Sequence, residues 1–154
     1  MKKYFFYTKL VVLALVMATL VNSCSKDEPK VRENKKFPAP KWQADTSGRY
    51  PFSMTAVVQI EGLLNLARQP YDELGAFVNG ECRGTGIQVN LGTKLMYNII
   101  IMGTSSENSR ITFKYYNSST QNMFVTPDGF LPFKVDDSFG SPDMPKLLPL
   151  EVSN

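Results

Sequence analysis

Alternation of apolar and polar side chains dominates the chain from residue 50 onward. Apolar residues occupy the even positions from Tyr50 to Ile60, and mostly polar residues lie between them. A period of two is typical of a strand with one buried face. The same period recurs over residues 110–116, where Ile111, Phe113 and Tyr115 share one face. Both segments are therefore predicted to be half-buried strands.

A β-hairpin is predicted over residues 74–89. Its two strands, 74–78 and 81–89, flank Asn79 and Gly80. Asn-Gly is the strongest short hairpin signal, because both central residues of a type I′ turn need positive φ. Gly84 and Gly86 in the return strand predict a bulge or a close approach of two backbones.

The remaining pattern predicts more short strands and little helix. Residues 94–102 are strongly aliphatic, which favours a central strand with both faces covered. Residues 63–73 are expected to form a loop or a short helical turn, and residues 121–125 are expected to form a strand. Residues 147–152 are expected to form a last strand, which Pro149 restricts to an edge of the sheet. Short strands at this spacing predict an all-β fold, a single antiparallel β-sandwich (Ig-like or jelly-roll-like) over residues 50–154.

The N-terminal residues predict an export signal. Lys2, Lys3 and Lys9 give a positive start, and an almost uninterrupted apolar run follows over residues 10–21. This run is shorter than the roughly 20 residues of a spanning helix and fits a secretory signal of about 7–15. The aromatic residues 4–7 could lengthen the apolar segment, which leaves an uncleaved anchor open.

The sequence Val21-Asn22-Ser23-Cys24 resembles the lipobox of bacterial lipoproteins. The resemblance implies that diacylglycerol is attached to the Cys24 thiol and that residues 1–23 are removed as a signal peptide. This lipid is the only non-protein group that we expect. An ordinary signal peptide with an incidental cysteine is the alternative.

Residues 24–49 are predicted to be a flexible tether, because they are rich in proline and charge and poor in apolar side chains. The tether begins with Ser25, Lys26, Asp27 and Glu28. These residues resemble the export signal that follows the lipid cysteine in Bacteroidetes lipoproteins. The resemblance implies a place on the outer face of the outer membrane; a solvated run of charges is the alternative.

Composition narrows the function classes. The chain has a formal charge of +3, and its three excess lysines lie in the predicted signal, so residues 24–154 are neutral. No basic surface for nucleic acid is therefore expected. The chain has no histidine, which excludes Ser-His-Asp and Cys-His catalysis and most zinc sites. With Cys24 lipidated, Cys82 is a lone thiol, expected to be buried in a strand.

The predicted hairpin contains a second motif that carries a resemblance, Asp72-Glu73-Leu74-Gly75-Ala76-Phe77-Val78-Asn79-Gly80-Glu81-Cys82-Arg83-Gly84. It resembles a β-sandwich module of secreted and surface proteins of the Bacteroidetes, and the resemblance covers roughly residues 52–125. The resemblance implies a fold and a cellular location but no biochemical activity. Phe77 or its neighbours and Cys82 are expected to fill the sandwich.

The hairpin also supplies candidate ligand contacts. Asp72, Glu73 and Arg83 are expected to lie close together, either as a surface ion pair or as a ligand-facing edge. Tyr71 and Tyr116 are the nearest aromatic candidates. Stacking on sugars needs exposed rings, and the available residues are Trp42, Tyr71, Tyr97, Tyr115, Tyr116 and Phe124. Since Tyr115 and Tyr116 point to opposite faces of a strand, one of them is expected to be exposed.

Carboxylates elsewhere carry weaker hypotheses. Asp128 and the pair Asp136 and Asp137 could hold calcium, although aspartate in such loops usually forms turns. Adjacent carboxylates such as Asp72 and Glu73 point to opposite faces of a strand and do not build a catalytic pair. No catalytic or metal-ligating residues are assigned.

These observations predict a non-enzymatic surface lipoprotein, a tethered module that binds or scaffolds something outside the cell. Two alternatives remain open. One is glycan capture beside a nutrient importer, and the other is a structural subunit of a surface assembly built by strand addition at residues 147–152. The expected partners are the membrane, through the lipid, and a glycan or another surface protein.

Overall fold

A computed structural model describes residues 35–60, 69–91, 94–106 and 108–153. The predicted signal peptide, Cys24 and residues 25–28 lie outside the described residues, as does most of the predicted loop at 63–73. Every regular element in the described part is a strand. None of these residues forms a helix that could span a membrane.

Ten strands follow one another in the residues that the structure describes. They are β1 Phe52–Ile60, β2 Glu73–Val78, β3 Glu81–Leu91, β4 Lys94–Gly103, β5 Arg110–Asn117, β6 Asn122–Val125, β7 Leu131–Pro132, β8 Ser138–Phe139, β9 Lys146–Leu148 and β10 Glu151–Val152. The predicted boundaries of the first six agree with these to within two residues. The Asn-Gly turn is also confirmed, because Asn79 and Gly80 both have positive φ (51° and 81°).

The strands form one curled, open sheet in the order β10-β6-β5-β2-β3-β4-β1-β8. The strand β3 joins its two halves. Its first half pairs with β2 up to Thr85, and its second half pairs with β4 from Gly86 onward. The all-β prediction is confirmed. The pairing is not purely antiparallel, because β8 and β9 both run parallel to β1.

Glycines allow β3 to lie close to β4. A Cβ added to Gly84 would collide with the carbonyl oxygen of Ile100, and one added to Gly86 would lie 2.9 Å from the Tyr97 ring. The register between β2 and β3 also shifts between Ala76 and Phe77, which makes Arg83 the extra residue of a bulge. The predicted bulge and close approach therefore occur together.

The core lies inside the curl. Alternate residues of β1, β2, β4 and β5 meet there, among them Met54, Leu74, Ile99 and Phe113. The neighbours of Phe77, Ala76 and Val78, belong to this cluster, which agrees with the prediction, whereas Phe77 itself does not. Cys82 is only half-buried and also lies outside the cluster, so the prediction that it fills the core is wrong. Phe77 instead lies on the outer face, where the Trp42 ring covers it.

The C-terminal segment connects the two edges of the sheet. The strand β7 pairs with β5, and β8 pairs with β1 only a few residues later. Between them Phe133 is buried against the core. The single edge strand predicted at 147–152 is two strands on opposite edges, because Pro149 interrupts the pairing: β9 lies beside β1, and β10 beside β6.

The strand β4 is central, as predicted, but its outer face is not fully covered. Ile99 and Ile101 are buried, whereas Ile100 between them is 59% exposed. The prediction that both faces of this strand are covered is wrong, because no layer packs over Ile100 in the described part of the chain.

Candidate functional site

Asp72 is a buried structural carboxylate rather than a ligand contact. It is 7% exposed and points inward beside Leu74. The Tyr115 hydroxyl donates to its Oδ2 at 2.8 Å, and both the backbone N–H and the hydroxyl of Ser118 donate to its Oδ1 at 2.7 and 2.8 Å. The Asn117 amide and the Gln69 N–H donate to Oδ2 as well. Asp72 thus joins the start of β2 to the turn after β5.

Glu73 points to the opposite face, where it holds the N-terminal segment. Its two carboxylate oxygens accept the backbone N–H groups of Lys41 and Trp42 at 3.1 and 3.0 Å. Farther along this segment the Phe37 N–H donates to the carbonyl of Gln121. The tether prediction for residues 24–49 did not anticipate these contacts, because backbone hydrogen bonds leave no signal in composition.

Arg83 lies apart from both carboxylates, at the bulge. Its guanidinium carbon is 3.3 Å from the centroid of the Tyr50 ring, and its Nε lies 3.5 Å from Glu81 Oε2. The Tyr50 hydroxyl donates to the same Glu81 carboxylate at 2.6 Å. Arg49 closes this cluster by an ion pair to Glu81.

The structure therefore does not bring Asp72, Glu73 and Arg83 together, and the prediction of a shared ion pair or ligand-facing edge is wrong. Asp72 and Glu73 precede and begin β2, whereas Arg83 lies opposite the far part of the same strand, near Ala76 and Phe77. Strand alternation also separates the two carboxylates from each other.

The aromatic side chains predicted to stack on a sugar differ in their exposure to solvent. Tyr71 is 79% exposed, but Tyr116 is 3% exposed and cannot stack on a ligand. Tyr97, Tyr115 and Phe124 are buried as well, so the prediction that either Tyr115 or Tyr116 is exposed is wrong. Tyr116 lies opposite Glu73 in the register and so shares the outer face that residues 37–42 cross. Sequence alternation cannot show that a polar segment covers that face.

The same outer face carries a groove that the sequence analysis did not single out. The cationic groove, of about 450 Å³, is lined by Arg110, Thr112 and Lys114 of β5, by Phe77, by Asn79 and Gly80 of the hairpin turn, and by Asp128 and Gly129. Alternate residues of a strand share a face, so the pattern Arg-x-Thr-x-Lys opposite Ile111, Phe113 and Tyr115 was the signal available.

Backbone and ring contacts hold the two cations of this groove. The Lys114 ammonium lies 4.6 Å from the Phe77 ring centroid. Arg110 donates to the carbonyl oxygens of Gly129 and Phe130. Within the part of the chain that the structure describes, neither cation forms an ion pair with a carboxylate.

The walls of the cationic groove are tied together by polar contacts. The Gly129 N–H donates to the Thr112 hydroxyl at 3.3 Å, and the Asn79 amide donates to the Ser109 hydroxyl at 3.1 Å. Gly129 has φ +66°, and a Cβ there would lie 3.1 Å from the Arg110 side chain. Only a residue without a side chain fits beside Arg110 in this turn without strain.

A second groove, of about 420 Å³, lies over the other half of the sheet. The apolar groove is formed by Ile87, Ile100 and Met102 together with residues 44–50. Ile87 is 73% exposed and Ile100 59% exposed. The loop that borders them is braced by an ion pair of 2.7 Å between Arg49 and Asp45.

The remaining reactive groups serve local structure. Burial raises the pKa of the Cys82 thiol, and the charges of Glu73 and Glu81 raise it further, which makes the thiol a weak nucleophile. The Asp137 carboxylate accepts the Ser138 N–H and lies 3.6 Å from the Lys134 ammonium. Among the described residues, no three His, Cys, Asp or Glu side chains form a group that could hold a metal ion.

Comparisons with known proteins add no relative. A scan against protein-family models, a search of curated proteins and a search of solved structures each found no match to this chain.

Proposed function

We propose that the protein is a non-enzymatic lipoprotein of the outer membrane, anchored through Cys24 and displayed on the cell surface, whose β domain binds a ligand outside the cell. The cationic groove carries the binding part of this proposal. Two positive side chains, Arg110 and Lys114, line the same solvent-open groove without a carboxylate partner in the described residues. A cleft lined by unpaired charges of one sign attracts ligands of the opposite charge.

The proposed location on the cell surface rests on the N-terminal residues. The apolar run ending at Cys24 and the charged flank from Ser25 to Glu28 support lipidation and export to the surface. The hairpin motif that resembles a module of Bacteroidetes surface proteins supports the same address. We also propose that the two halves of the curled sheet face each other across the core as in a β-sandwich of the Ig-like or jelly-roll-like kind.

Chemistry in the described residues favours binding over catalysis. The chain has no histidine to act as a base. The carboxylates of Asp72 and Glu73 are occupied by hydrogen bonds from the protein itself. A nucleophile or general acid needs a partner that tunes its proton affinity toward neutral pH, and the raised pKa of Cys82 moves the other way.

Protease shaving of intact cells tests the address. The expected result is release of the β domain while a periplasmic marker stays protected, and no release in the Cys24→Ala variant, which cannot receive the lipid. Incorporation of labelled palmitate into wild type but not into Cys24→Ala is expected as well. Protection of the domain until the outer membrane is opened would contradict display at the surface.

A structural subunit of a surface assembly is the second candidate, and the apolar groove favours it. Exposed Ile87 and Ile100 could pack against another copy of the chain. Strand addition has less support, because the terminal strands of the sheet order, β8 and β10, are each two residues long. Size-exclusion chromatography of wild type and Ile100→Thr separates the candidates: an assembly requires oligomers that the substitution dissolves.

A further inference from the structure

We propose that the cationic groove binds an acidic saccharide, a sugar chain that carries carboxylates among its hydroxyl groups. The inference rests on the proposed binding function and names the class of ligand for it.

The spacing of the cations favours an extended anion. Arg110 and Lys114 lie four residues apart on one face of β5, so their Cα atoms are roughly 13 Å apart at about 3.3 Å per residue. A chain with carboxylates at intervals can run along β5 and meet both.

The Arg110 guanidinium is prepared for such a ligand. Two of its nitrogens, Nε and Nη2, face the carbonyls of Gly129 and Phe130. This fixes the plane of the group and leaves Nη1 for a ligand oxygen, since guanidinium offers five N–H donors. Lys114 rests against the Phe77 ring and presents its ammonium as a point charge.

The polar groups between the cations suit hydroxyls. Asp128 and Thr112 line the cationic groove together with Asn79. A carboxylate such as Asp128 accepts hydrogen bonds from sugar hydroxyls but repels a compact, multiply charged anion. The volume of about 450 Å³ lies in the range of roughly 300–1,000 Å³ found for pockets that hold small ligands.

An acidic peptide fits this site less well. Peptides commonly bind to a sheet by adding a strand at an open edge. The backbone of β5 is already paired with β2 on one side and with β6 and β7 on the other. The one aromatic side chain in the lining, Phe77, is only 6% exposed, so it offers no apolar pocket for a peptide side chain.

The test is calorimetric binding to the full-length lipidated protein in mild detergent. The probes are a short oligogalacturonate, the neutral oligogalactose of the same length, and an oligoglutamate of the same charge. The variants are Arg110→Gln and Lys114→Gln. Lys146→Gln is the matched control, because it removes an exposed charge from β9 at the other edge of the sheet.

The expected result is binding of the oligogalacturonate and not of the neutral sugar, with the dissociation constant raised about tenfold by each groove variant and unchanged by Lys146→Gln. Raising the salt concentration should weaken the binding. If Arg110→Gln loses its sheet signal in circular dichroism, Lys114→Gln decides, since among the described residues the Lys114 ammonium contacts the Phe77 ring and forms no ion pair.

Three outcomes would overturn the proposal: no binding of the uronate, equal binding of the oligoglutamate, or equal loss of affinity in the Lys146→Gln control. Failure here is separate from failure of the proposed function. If the domain is released from intact cells by protease but does not bind uronates, the proposal of surface display stands and the proposal of an acidic saccharide ligand is wrong.

Discussion

Trp42 packs edge-on against Phe77, with ring centroids 5.3 Å apart and an angle of 76° between the planes. Gly75 makes this possible, since a Cβ there would lie 3.0 Å from the Trp42 ring and closer still to Phe77. The carboxylate of Glu73 also accepts the backbone N–H of Trp42. A segment with the composition of a tether is thus anchored to the sheet by this ring and carboxylate, in addition to the Phe37 N–H bond to the carbonyl of Gln121.

Removing this ring should loosen the N-terminal segment. We expect Trp42→Ala to lower the free energy of unfolding by about 1–3 kcal/mol in urea titrations, because the side chain is half-buried. Trp42 is the only tryptophan, so its fluorescence reports on the docking directly. Acrylamide should quench the Trp42 fluorescence less in the folded protein than in the urea-unfolded protein. Among folded proteins, it should quench the fluorescence more in Glu73→Gln than in wild type.

The exposed Tyr71 provides the control for Trp42. Tyr71→Ala is expected to change the free energy of unfolding by no more than about 0.5 kcal/mol. Equal quenching of Trp42 in the folded and the urea-unfolded protein would mean that the segment is not docked in solution.

Asp72 is the polar group on which stability should depend most. Asp72→Ala leaves the Tyr115 hydroxyl, the Asn117 amide and the Ser118 N–H without their acceptor. We expect a loss of about 3 kcal/mol or more in the free energy of unfolding. Asp143→Asn, an exposed carboxylate at the surface, is the matched control and should stay within about 0.5 kcal/mol. A similar small change for Asp72→Ala would show that the buried network adds little.

Local patterns were sufficient to predict the first six strands. Alternation placed Met54, Ala56, Val58 and Ile60 on the buried face of β1, and turn chemistry placed the hairpin at Asn79 and Gly80. These features depend on neighbours in sequence, so sequence patterns contain them.

Long-range pairing was not predictable in the same way. The strands β7 to β10 are two or three residues long, too short for a period, and their position depends on distant partners. Tyr116 is buried, and the Glu73 carboxylate is occupied, because residues 37–42 pack back onto the sheet. Neither contact can be read from the sequence near these two residues. The cationic groove was missed for a related reason: Arg110 and Gly129, which line it, are distant in sequence and meet through the tertiary fold.

Gly84 should tolerate no side chain. A Cβ at this position collides with the backbone carbonyl of Ile100, which cannot rotate away as a flexible side chain could. We expect Gly84→Ala to lower the free energy of unfolding by about 3 kcal/mol or more, measured by thermal or urea unfolding. Thr85→Ala, one residue farther on and exposed, should be nearly neutral. Near-neutral behaviour of Gly84→Ala would mean that β3 does not approach β4 this closely.

Cys82 should react slowly with alkylating reagents near neutral pH. Burial raises its pKa, so the folded protein holds less thiolate at a given pH than the unfolded chain does. The iodoacetamide rate should therefore rise with pH around a higher midpoint in the native protein than in urea. By linkage, stability is unaffected below the unfolded pKa and falls as pH rises from the unfolded to the folded pKa. A native midpoint at or below the unfolded one would contradict the half-buried position of the thiol.

Phe133 joins the C-terminal segment to the core, where the curled sheet is otherwise open. The side chain is 6% exposed and packs against the bare backbone of Gly103, in a gap that a Cβ would close. We expect Phe133→Ala to lower the free energy of unfolding by about 3–4 kcal/mol, because it leaves a large cavity between β7 and β8. Phe133→Leu should recover part of this loss, since it refills most of the volume. Hydrogen exchange can locate the effect: amides of β8 and β9 should lose protection before those of β2 and β5. Uniform loss across all strands would mean that the C-terminal segment and the sheet unfold as one unit.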